Sequence, residues 1–415
     1  MNDKKKLLII GTMWPEPKSS AAGSRMLQLI DFFLGINFKI TFSSAAAESN
    51  FMFNLSEINV EAQSIVMNSD TFDTFIKNIN PDVVLFDRFI TEEQFGWRVA
   101  ENCPAAMRIL DTEDLHCLRL ARQSAIRDNR EFTNNDLFSD TAKREIASIL
   151  RCDLSLIISK FELELLQNNF NVKSELLHYL PFMLNEISEE TTINWLPFAQ
   201  RENYVFIGNF FHEPNWDAVL TLKTKIWPLI KKLQPTAIIE IYGAYPSQKV
   251  FDLHNQKDGF LIKGRARDAI EIISKARVLL APIRFGAGIK GKLVEAKFCG
   301  TPSVTTTIGA EAMSDNKLWN GFVADDYKCF AEAAVLLYND ETQWMQSQKN
   351  GIEIYNSRYL KSELTPIFKQ NFQNIYENLE EHRLKNFIGA MLLHHTLRST
   401  KYMSKWIEEK NKNSK

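Results

Sequence analysis

The sequence predicts an α/β protein in which two parallel-sheet domains face each other across a cleft, followed by a helical C-terminal tail. Three observations lead to this fold class. Short apolar segments alternate with amphipathic segments through the first half, a polar stretch with prolines interrupts the alternation near residue 190, and a second alternating series follows. Ligands of open parallel sheets bind beyond the carboxyl ends of the strands, so the expected binding site is the cleft between the two sheets.

The first series predicts a domain over residues 1–185. Its apolar runs are continuous, which is typical of parallel strands covered by helices on both faces. The predicted strands are 7–10, 39–42, 64–67, 83–86, 107–110 and 154–158. The predicted helices between them are 23–34, 71–78, 92–101, 115–127, 141–150 and 161–169.

A linker over residues 186–202 is predicted from Pro197 and the polar run 188–192. The second series then predicts a domain over 203–362. Its strands are 204–207, 237–242, 260–262, 278–282 and 303–305, and its helices are 215–232, 247–254, 268–275 and 291–298. Residues 363–415 form the tail, where Thr365 and Pro366 predict the N-cap and first position of an amphipathic helix.

Composition excludes several classes of protein. Lys and Arg number 49 against 51 Asp and Glu, so no nucleic-acid partner is expected. The five cysteines contain no CxxC pair, which argues against a zinc site or a disulfide framework and favours a cytoplasmic protein. The apolar run 7–10 is too short for a signal peptide, and no window approaches the roughly 18 apolar residues of a membrane span.

A glycine-rich segment, residues 284–295, gives the most informative local signal. It reads Arg-Phe-Gly-Ala-Gly-Ile-Lys-Gly-Lys-Leu-Val-Glu, follows an apolar strand and opens a predicted helix. Glycine lets the backbone approach a ligand, a helix N-terminus offers free N–H groups, and Lys290 and Lys292 add positive charge. We therefore predict that the glycine loop, residues 284–290, binds a phosphate group beside Gly286 and Gly288.

Three types of phosphate site compete for this segment. The dinucleotide fingerprint GxGxxG fits, with Glu311 downstream, but it normally opens the first strand–helix unit of its domain. The P-loop pattern GxxxxGK also fits, but Leu293 stands where that motif needs a hydroxyl to hold Mg²⁺. A nucleotide-sugar site needs glycines, a basic group and a helix carboxylate, which Glu295 supplies. A structural glycine turn with solvated lysines remains the alternative.

Several motifs of the second half occur in a fixed order over residues 203–340: 206–209, 212–218, 286–292 with Glu295 and Ala296, 300–304, and 308–311. As a set they resemble the family-4 retaining glycosyltransferases of GT-B fold. The first domain resembles this family more loosely, through Gly11 and residues 22–25. The resemblance implies two Rossmann-like domains, the first binding the acceptor and the second the nucleotide-sugar donor, with a tail that returns to the first domain.

The resemblance also implies roles for single residues. The family's helix glutamate binds the donor ribose, and its position here is Glu295. A basic residue at the start of that helix faces the diphosphate, which indicates Lys290, with Lys292 as its substitute. Gly23, with Arg25 nearby, would let the diphosphate approach the first domain. His212 lies in a matching motif where it would touch donor or acceptor.

Two positions depart from the family pattern. Many members carry a second glutamate eight positions before the ribose glutamate, and this chain has Ala287 there. Many also have an arginine where this chain has Asn209. Arg265 is a candidate replacement for that arginine, as are Arg267 and Arg284. Glu311 is a candidate donor contact, or else an exposed loop acid.

A second cluster, the acidic loop of residues 111–115, follows a predicted strand of the first domain. Asp111, Glu113 and Asp114 precede the helix residue His116. This arrangement predicts a site that orients an acceptor hydroxyl or pairs with it as it loses its proton, with His116 best suited to titrate near neutral pH. Helix capping is the alternative, although a cap needs only one carboxylate.

The predicted function is transfer of a sugar from a nucleoside-diphosphate sugar to a hydroxyl acceptor, either a carbohydrate or a lipid-linked one. The chain contains no D-x-D motif, so we expect lysines and a helix N-terminus to stabilise the leaving diphosphate without a metal or other cofactor. A nucleotide-sugar epimerase of the same fold and a non-catalytic sugar-nucleotide-binding protein remain alternatives. Apolar and basic residues mixed over 387–406 predict either packing on the protein or weak association with the inner face of a membrane.

Overall fold

Two parallel sheets, one in each half of the chain, form the framework of the protein in a computed structural model. The structure describes residues 4–412, apart from the side chains of 395–398. The strands of the first sheet are Lys6–Gly11 (β1), Lys39–Ser44 (β2), Glu61–Ser64 (β3), Val83–Asp87 (β4), Met107–Asp111 (β5), Leu154–Ile157 (β6) and Leu177–Tyr179 (β7). Their order is β3-β2-β1-β4-β5-β6-β7, and all pairs are parallel.

The second sheet repeats this plan. Its strands are Glu202–Ile207 (β8), Ile239–Tyr242 (β9), Phe260–Gly264 (β10), Ala276–Ala281 (β11), Ser303–Thr305 (β12) and Gly321–Val323 (β13). Their order is β10-β9-β8-β11-β12-β13, again with every pair parallel. In both sheets the strand order reverses beside the first strand, so each sheet has a crevice at its carboxyl edge.

Helices connect the strands and form the tail. They are Ala21–Gly35 (α1), Thr71–Ile79 (α2), Arg88–Asn102 (α3), His116–Arg127 (α4), Asp140–Arg151 (α5), Lys160–Phe170 (α6), Glu189–Ile193 (α7), Glu213–Thr221 (α8), Trp227–Leu233 (α9), Gln248–Phe251 (α10), Ala269–Lys275 (α11), Gly291–Phe298 (α12), Thr307–Ala310 (α13), Tyr327–Asn339 (α14), Glu341–Arg358 (α15), Lys361–Glu377 (α16), Leu379–Lys385 (α17) and Phe387–Lys412 (α18).

The central strands are buried on both faces, as their continuous apolar runs predict. In β1, Leu7 and Ile9 pack into one core cluster, and Leu8 and Ile10 pack into a second cluster on the other side of the sheet. Alternate side chains of a strand point to opposite faces, so helices must cover both sides of this sheet. No helix among the described residues is both long enough and apolar enough to cross a membrane.

The tail crosses back to the first domain. The rings of Phe368 on α16 and Phe32 on α1 are stacked, with their centroids 4.3 Å apart. Further along, Arg383 on α17 donates to both carboxylate oxygens of the buried Asp153 at 2.8 Å each. An apolar contact and a buried ion pair therefore hold the tail against the first domain, although the second domain precedes it directly in the sequence.

Several predicted boundaries were wrong for identifiable reasons. Strand β3 ends at Ser64 instead of beginning there, because an exposed edge strand carries little hydrophobic signal. The predicted helix 215–232 is α8 and α9 joined by a π-helical turn over Leu222–Ile226. Pro366 lies inside α16, which starts earlier because Lys361 N–H donates to Leu184 O at 2.7 Å and anchors the first turn. The short edge strands β7 and β13 were missed.

Candidate active site

A cleft of about 490 Å³ lies between the carboxyl edges of the two sheets, and both domains line it. This volume is typical of a small-molecule site. Many of the residues predicted from the sequence line it: Glu113, Asp114, His116, Asn209, His212, Arg265, Gly286, Gly288, Lys290, Lys292 and Glu295. The predicted residues outside its lining are Asp111, Gly23, Arg25 and Glu311.

The glycine loop connects β11 to α12 at the floor of the cleft. Gly288 has φ +62°, a conformation that glycine adopts at little cost. Helix α12 begins at Gly291, directly opposite the start of α1: a Cβ added to Gly291 would lie 2.5 Å from the Cβ of Ala21. Two helix N-termini, one from each domain, therefore point into the same space, where an anion would receive unpaired N–H groups.

The two lysines of this region are held inside the protein. Lys290 is buried and its Nζ donates to Gly288 O at 3.0 Å. Lys292 donates to Asn215 Oδ1 at 2.6 Å and lies over the Phe206 ring. Burial lowers the pKa of Lys290, and it lowers the pKa of Lys292 to about 7 even though Glu295 opposes the shift. Both cations lack a carboxylate hydrogen bond and would gain from an anionic ligand.

Beside the glycine loop, on the first domain, the charged groups of the acidic loop are paired with nearby residues. Asp114 accepts from Arg119 Nε at 2.7 Å and lies 3.4 Å from His116 Nε2. Burial opposes ionisation of Asp114, but Arg119 and His116 outweigh it and hold its pKa below the usual range. Burial lowers the pKa of His116 to about 4. The prediction that His116 titrates near neutral pH was therefore wrong: the imidazole is neutral there.

Glu113 has the opposite electrostatic character. Burial, together with the charge of Asp111, raises the pKa of Glu113 to about 8. This carboxyl is therefore protonated at neutral pH and is a hydrogen-bond donor. Its φ of +61° and that of Arg88, +68°, are unusual for residues with side chains. Strained backbone at the ends of two adjacent strands is typical of functional sites.

Asp111 and Arg25 are not cleft residues, contrary to the prediction for both. They form a buried ion pair in which Arg25 Nη2 and Asp111 Oδ1 are 2.8 Å apart, with relative exposures of 1% and 0%. Arg25 also donates to Leu180 O at 2.7 Å. The pair joins α1 to the end of β5 below the cleft, so these residues support the site from beneath instead of touching a ligand.

Gly23 and Glu311 also lie outside the cleft lining. A Cβ on Gly23 would lie 2.4 Å from the carbonyl carbon of Glu16, so this glycine permits close packing of α1 on the loop before it. Glu311 pairs with Arg122 of the first domain through contacts of 2.6 and 2.8 Å. It therefore joins the two domains and has no free carboxylate for a donor.

The opposite rim of the cleft carries a second contact between the domains that the sequence did not reveal. Arg265 donates to Ser19 Oγ at 2.8 Å and lies over the Phe51 ring. Tyr245 donates to the Glu16 carboxylate at 2.8 Å. Tyr245 has φ +55°, a backbone conformation that its sequence does not predict. The contacts of this rim join residues more than 200 positions apart, so no local sequence motif predicts them.

Asn209 and His212 lie at the start of α8, where His212 is the N-cap residue. Asn215, where the helix was predicted to begin, lies inside α8; its side chain donates to Asn209 O at 2.7 Å and accepts from Lys292. Within the described residues, no three His, Cys, Asp or Glu side chains are grouped as a metal site requires.

Comparison with known proteins agrees with this geometry. The family model for glycosyl transferases group 1 matches residues 201–340. A search of the curated proteins found no match. Sucrose-phosphate synthase from Thermosynechococcus elongatus is 13% identical, with a TM-score of 0.67 over 90% of this chain and 100% of that one. Anabaena HepE is 12% identical, with a TM-score of 0.66 over 89% and 100%.

A third similar structure is the pneumococcal O-GlcNAc transferase GtfA, with 12% identity and a TM-score of 0.66 over 90% of this chain and 99% of that chain. Likeness at such low identity establishes the fold, and the predicted fold class is thereby confirmed. The matched family covers the domain that carries the glycine loop, Lys290 and Glu295. The chain is therefore a glycosyltransferase of GT-B fold, and its second domain matches the family model for glycosyl transferases group 1 over residues 201–340.

Proposed function

We propose that the protein transfers a sugar from a nucleoside-diphosphate sugar to a hydroxyl acceptor, with retention of configuration and without a metal ion. One observation carries the proposal: two helix N-termini, the buried Lys290 and the partly buried Lys292 converge on the glycine loop, and Glu295 lies about one turn into the same helix. The helix N-termini and the lysines would bind a diphosphate, and the Glu295 carboxyl group would accept hydrogen bonds from a ribose.

At the donor end, negative charge builds on the diphosphate as its bond to the sugar C1 breaks. Lys290 and Lys292 have lowered pKa values because of burial, so an approaching diphosphate would raise both and bind them as cations. Backbone N–H groups at the start of α12 would donate hydrogen bonds to the same diphosphate oxygens, and they need not move to do so. Such preorganised donors fill the role that a metal ion has in other transferases.

At the acceptor end, His116, Asp114 and the protonated Glu113 face the cleft. Neutral His116 accepts a hydrogen bond from the acceptor hydroxyl, and Glu113 donates one, so together they orient the attacking oxygen. In the proposed step a bond forms between that oxygen and C1, the bond from C1 to the phosphate oxygen breaks, and the hydroxyl proton passes to the departing phosphate. Attack and departure on one face retain the configuration.

Two similar structures suggest the first donor to test. Anabaena HepE was crystallised with UDP and glucose, and GtfA with UDP and GlcNAc. We therefore propose UDP-sugars as donors and carbohydrates as acceptors. Thermal shift with nucleoside diphosphates would identify the base, because a ligand that binds only the folded state raises its apparent stability.

The test is incubation with labelled UDP-glucose or UDP-GlcNAc and a panel of glycan and lipid-linked acceptors, with and without excess EDTA. We expect UDP release and an acceptor-dependent product whose anomeric configuration, measured by NMR, matches the donor, unchanged by EDTA. Donor isomerisation without an acceptor would instead indicate an epimerase. Nucleotide binding without release from any donor would indicate a non-catalytic binding protein, and loss of activity in EDTA would refute the metal-free mechanism.

We also propose that α18 associates with an anionic membrane surface, near a lipid-linked acceptor. Phe387, Met391, Tyr402 and Trp406 are 72%, 47%, 69% and 61% exposed. The opposite side of the helix is fixed to α3, where Arg98 donates to Ser404 Oγ at 3.2 Å. The segment 387–412 has five Lys or Arg against two Glu, although the whole chain has a net charge of −2. Exposed aromatic residues with basic residues are typical of interfacial helices.

Co-sedimentation with phosphatidylglycerol-containing vesicles tests this association against pure phosphatidylcholine vesicles. The double variant Phe387→Ser/Trp406→Ser should bind anionic vesicles at least about tenfold more weakly, because each side chain contributes roughly 1.5–3 kcal/mol on burial. Ile193→Ser, which removes an apolar side chain that is 83% exposed on α7, is the matched control. Equal sedimentation of all variants, or of wild type with both vesicle types, would contradict the proposal.

A further inference from the structure

Glu162 has a position that its sequence context does not explain. Ser159 and Glu162 at the start of α6 have the S-x-x-E spacing of a capping box, in which the glutamate returns to the N–H of its own N-cap. Ser159 does cap the helix, accepting from Glu162 N–H at 3.3 Å. The Glu162 carboxyl group instead binds groups outside its own helix and is completely buried, and burial raises its pKa to about 8.

The carboxylate joins the two sides of the active site. Its Oε1 accepts from Leu115 N–H at 2.9 Å, in the acidic loop, and from Gly288 N–H at 2.8 Å, in the glycine loop. One oxygen atom therefore holds one peptide group from each domain. The other oxygen, Oε2, is buried and has no hydrogen-bond partner among the described residues.

Neighbouring contacts show that the glycine loop is seated on the first domain over three consecutive residues. Gly286 O accepts from Arg122 Nη1 at 2.9 Å, the Ala287 side chain packs against the apolar core of the first domain, and Gly288 donates to Glu162. The small methyl group of Ala287 lets the loop approach the first domain closely enough for Glu162 to reach Gly288 N–H.

We propose that Glu162 is a positioning residue for sugar transfer: it fixes the glycine loop against the acidic loop in the arrangement in which donor and acceptor react. The inference rests on the proposed function. Because the Gly288 contact exists only while the domains are together, it acts on the assembled site. Lys290 contacts the carbonyl oxygen of the same residue, Gly288, so Glu162 also helps to fix the position of the Lys290 ammonium group before a diphosphate binds.

A matched control lies on the neighbouring helix. Glu145 is also buried, and its carboxylate accepts from His116 N–H and Cys117 N–H at 2.9 Å each. Like Glu162 it holds backbone at the start of α4. Unlike Glu162 its hydrogen bonds stay within the first domain. A purely structural role would make the two residues equivalent, whereas a positioning role separates them.

Amide hydrogen exchange of the ligand-free protein tests the contact itself. Glu162→Ala should speed exchange at Gly288 by roughly tenfold or more, because its acceptor is removed. Glu162→Gln keeps an oxygen at the Oε1 position and should exchange nearly as wild type does. Glu145→Ala should leave residues 284–293 unchanged. Unchanged Gly288 exchange in Glu162→Ala, or equal acceleration in Glu145→Ala, would overturn the inference.

Kinetics with UDP-sugar and an acceptor found by the panel above test the role. We expect Glu162→Ala to lower kcat roughly tenfold or more while the UDP Kd from calorimetry changes less than about threefold, with Glu162→Gln restoring most of kcat. A wild type that transfers no sugar would contradict the proposed function. A transferring wild type with kcat unchanged in Glu162→Ala, or lowered no more than in Glu145→Ala, would contradict only the role of Glu162.

Discussion

The glycine loop and the acidic loop lie against each other where the two domains meet, but they hold their charges in different ways. Among the described residues, the hydrogen bonds of Lys290 and Lys292 go to neutral oxygens, those of Gly288 and Asn215. In the acidic loop, by contrast, Asp111 and Asp114 each have an arginine partner within 2.8 Å. The lysines have carboxylates such as Glu311 and Glu295 near them but no carboxylate hydrogen bond among the described residues, whereas Asp111 and Asp114 are paired before any ligand arrives.

This difference indicates different tasks. A buried cation without a carboxylate partner raises the free energy of the empty site, and an anionic ligand relieves that cost. A paired carboxylate holds its loop in a fixed shape and offers hydrogen bonds without a strong net field. We therefore expect substitutions in the acidic loop to change stability and geometry, and substitutions in the glycine loop to change affinity.

The largest effect should come from breaking the ion pair beneath the acidic loop. Arg25→Ala removes the partner of Asp111 in a site with no exposure, where burial already raises the pKa of that carboxyl, so the free energy of unfolding should fall by about 3–5 kcal/mol. Nucleoside diphosphate affinity of the remaining folded protein should stay close to wild type. Urea denaturation and calorimetry below the unfolding transition measure the two quantities.

Arg119→Ala provides the comparison for that variant. Its partner Asp114 is 17% exposed, so removing Arg119 should cost less stability than removing Arg25. An Arg25→Ala protein as stable as wild type would show that the pair is not what supports the acidic loop.

Lys290→Ala should have the next largest effect, and on affinity instead of stability. Charge-assisted hydrogen bonds contribute about 1.5–3 kcal/mol, so UDP binding should weaken roughly tenfold to hundredfold. The free energy of unfolding should change little, since the lysine has no charged hydrogen-bond partner to lose. Lys297→Ala is the control: this lysine is buried in the same helix but contacts Leu293 O and the Trp319 ring, away from the cleft. Wild-type affinity in Lys290→Ala would refute its role.

Glu295→Ala should weaken UDP binding by about tenfold, through loss of hydrogen bonds to the ribose. Burial raises the pKa of this carboxyl, so its removal should not destabilise the fold. Calorimetry with UDP and with inorganic pyrophosphate distinguishes the contribution of the nucleoside to affinity from that of the diphosphate. Pyrophosphate affinity should stay near wild type, and an equal loss for both ligands would remove the ribose assignment.

The same contrast explains what the sequence could predict. The phosphate features of the glycine loop lie within ten consecutive residues, and the central strands of both sheets are continuous apolar runs, so both are visible locally. The acidic loop looked equally informative, but the partner of Asp111 is Arg25, 86 positions earlier. No local pattern distinguishes a carboxylate that faces a ligand from one that faces a distant arginine.

Glu162 shows the same limit in reverse. Its spacing from Ser159 predicts a local capping contact, while its actual partners lie 47 and 126 positions away. The Ser159 side chain alone caps the N-terminus of α6, so the Glu162 carboxyl group is available for a contact between the domains. A motif that fits a local explanation fully can therefore conceal a long-range one, and only the fold reveals it.

The smallest predicted effect concerns the pH dependence of binding. Burial lowers the pKa of Lys292 to about 7 in the empty site, and a bound diphosphate would raise it, so binding takes up a proton when the pH exceeds 7. Affinity should therefore fall as the pH rises from 7.5 to 9, by at most about tenfold per unit, in a range where the ligand's phosphate is already ionised.

The control variant is Lys292→Arg, whose side chain stays charged throughout this range, so the pH dependence of its affinity should be weaker. Any pH dependence that remains would come from Lys290, whose pKa is lowered by burial in the same way. Calorimetric titrations at four pH values measure the slope. If affinity fell more steeply with pH in Lys292→Arg than in wild type, protonation of Lys292 would not control binding. The proposed difference between the glycine loop and the acidic loop would then be wrong.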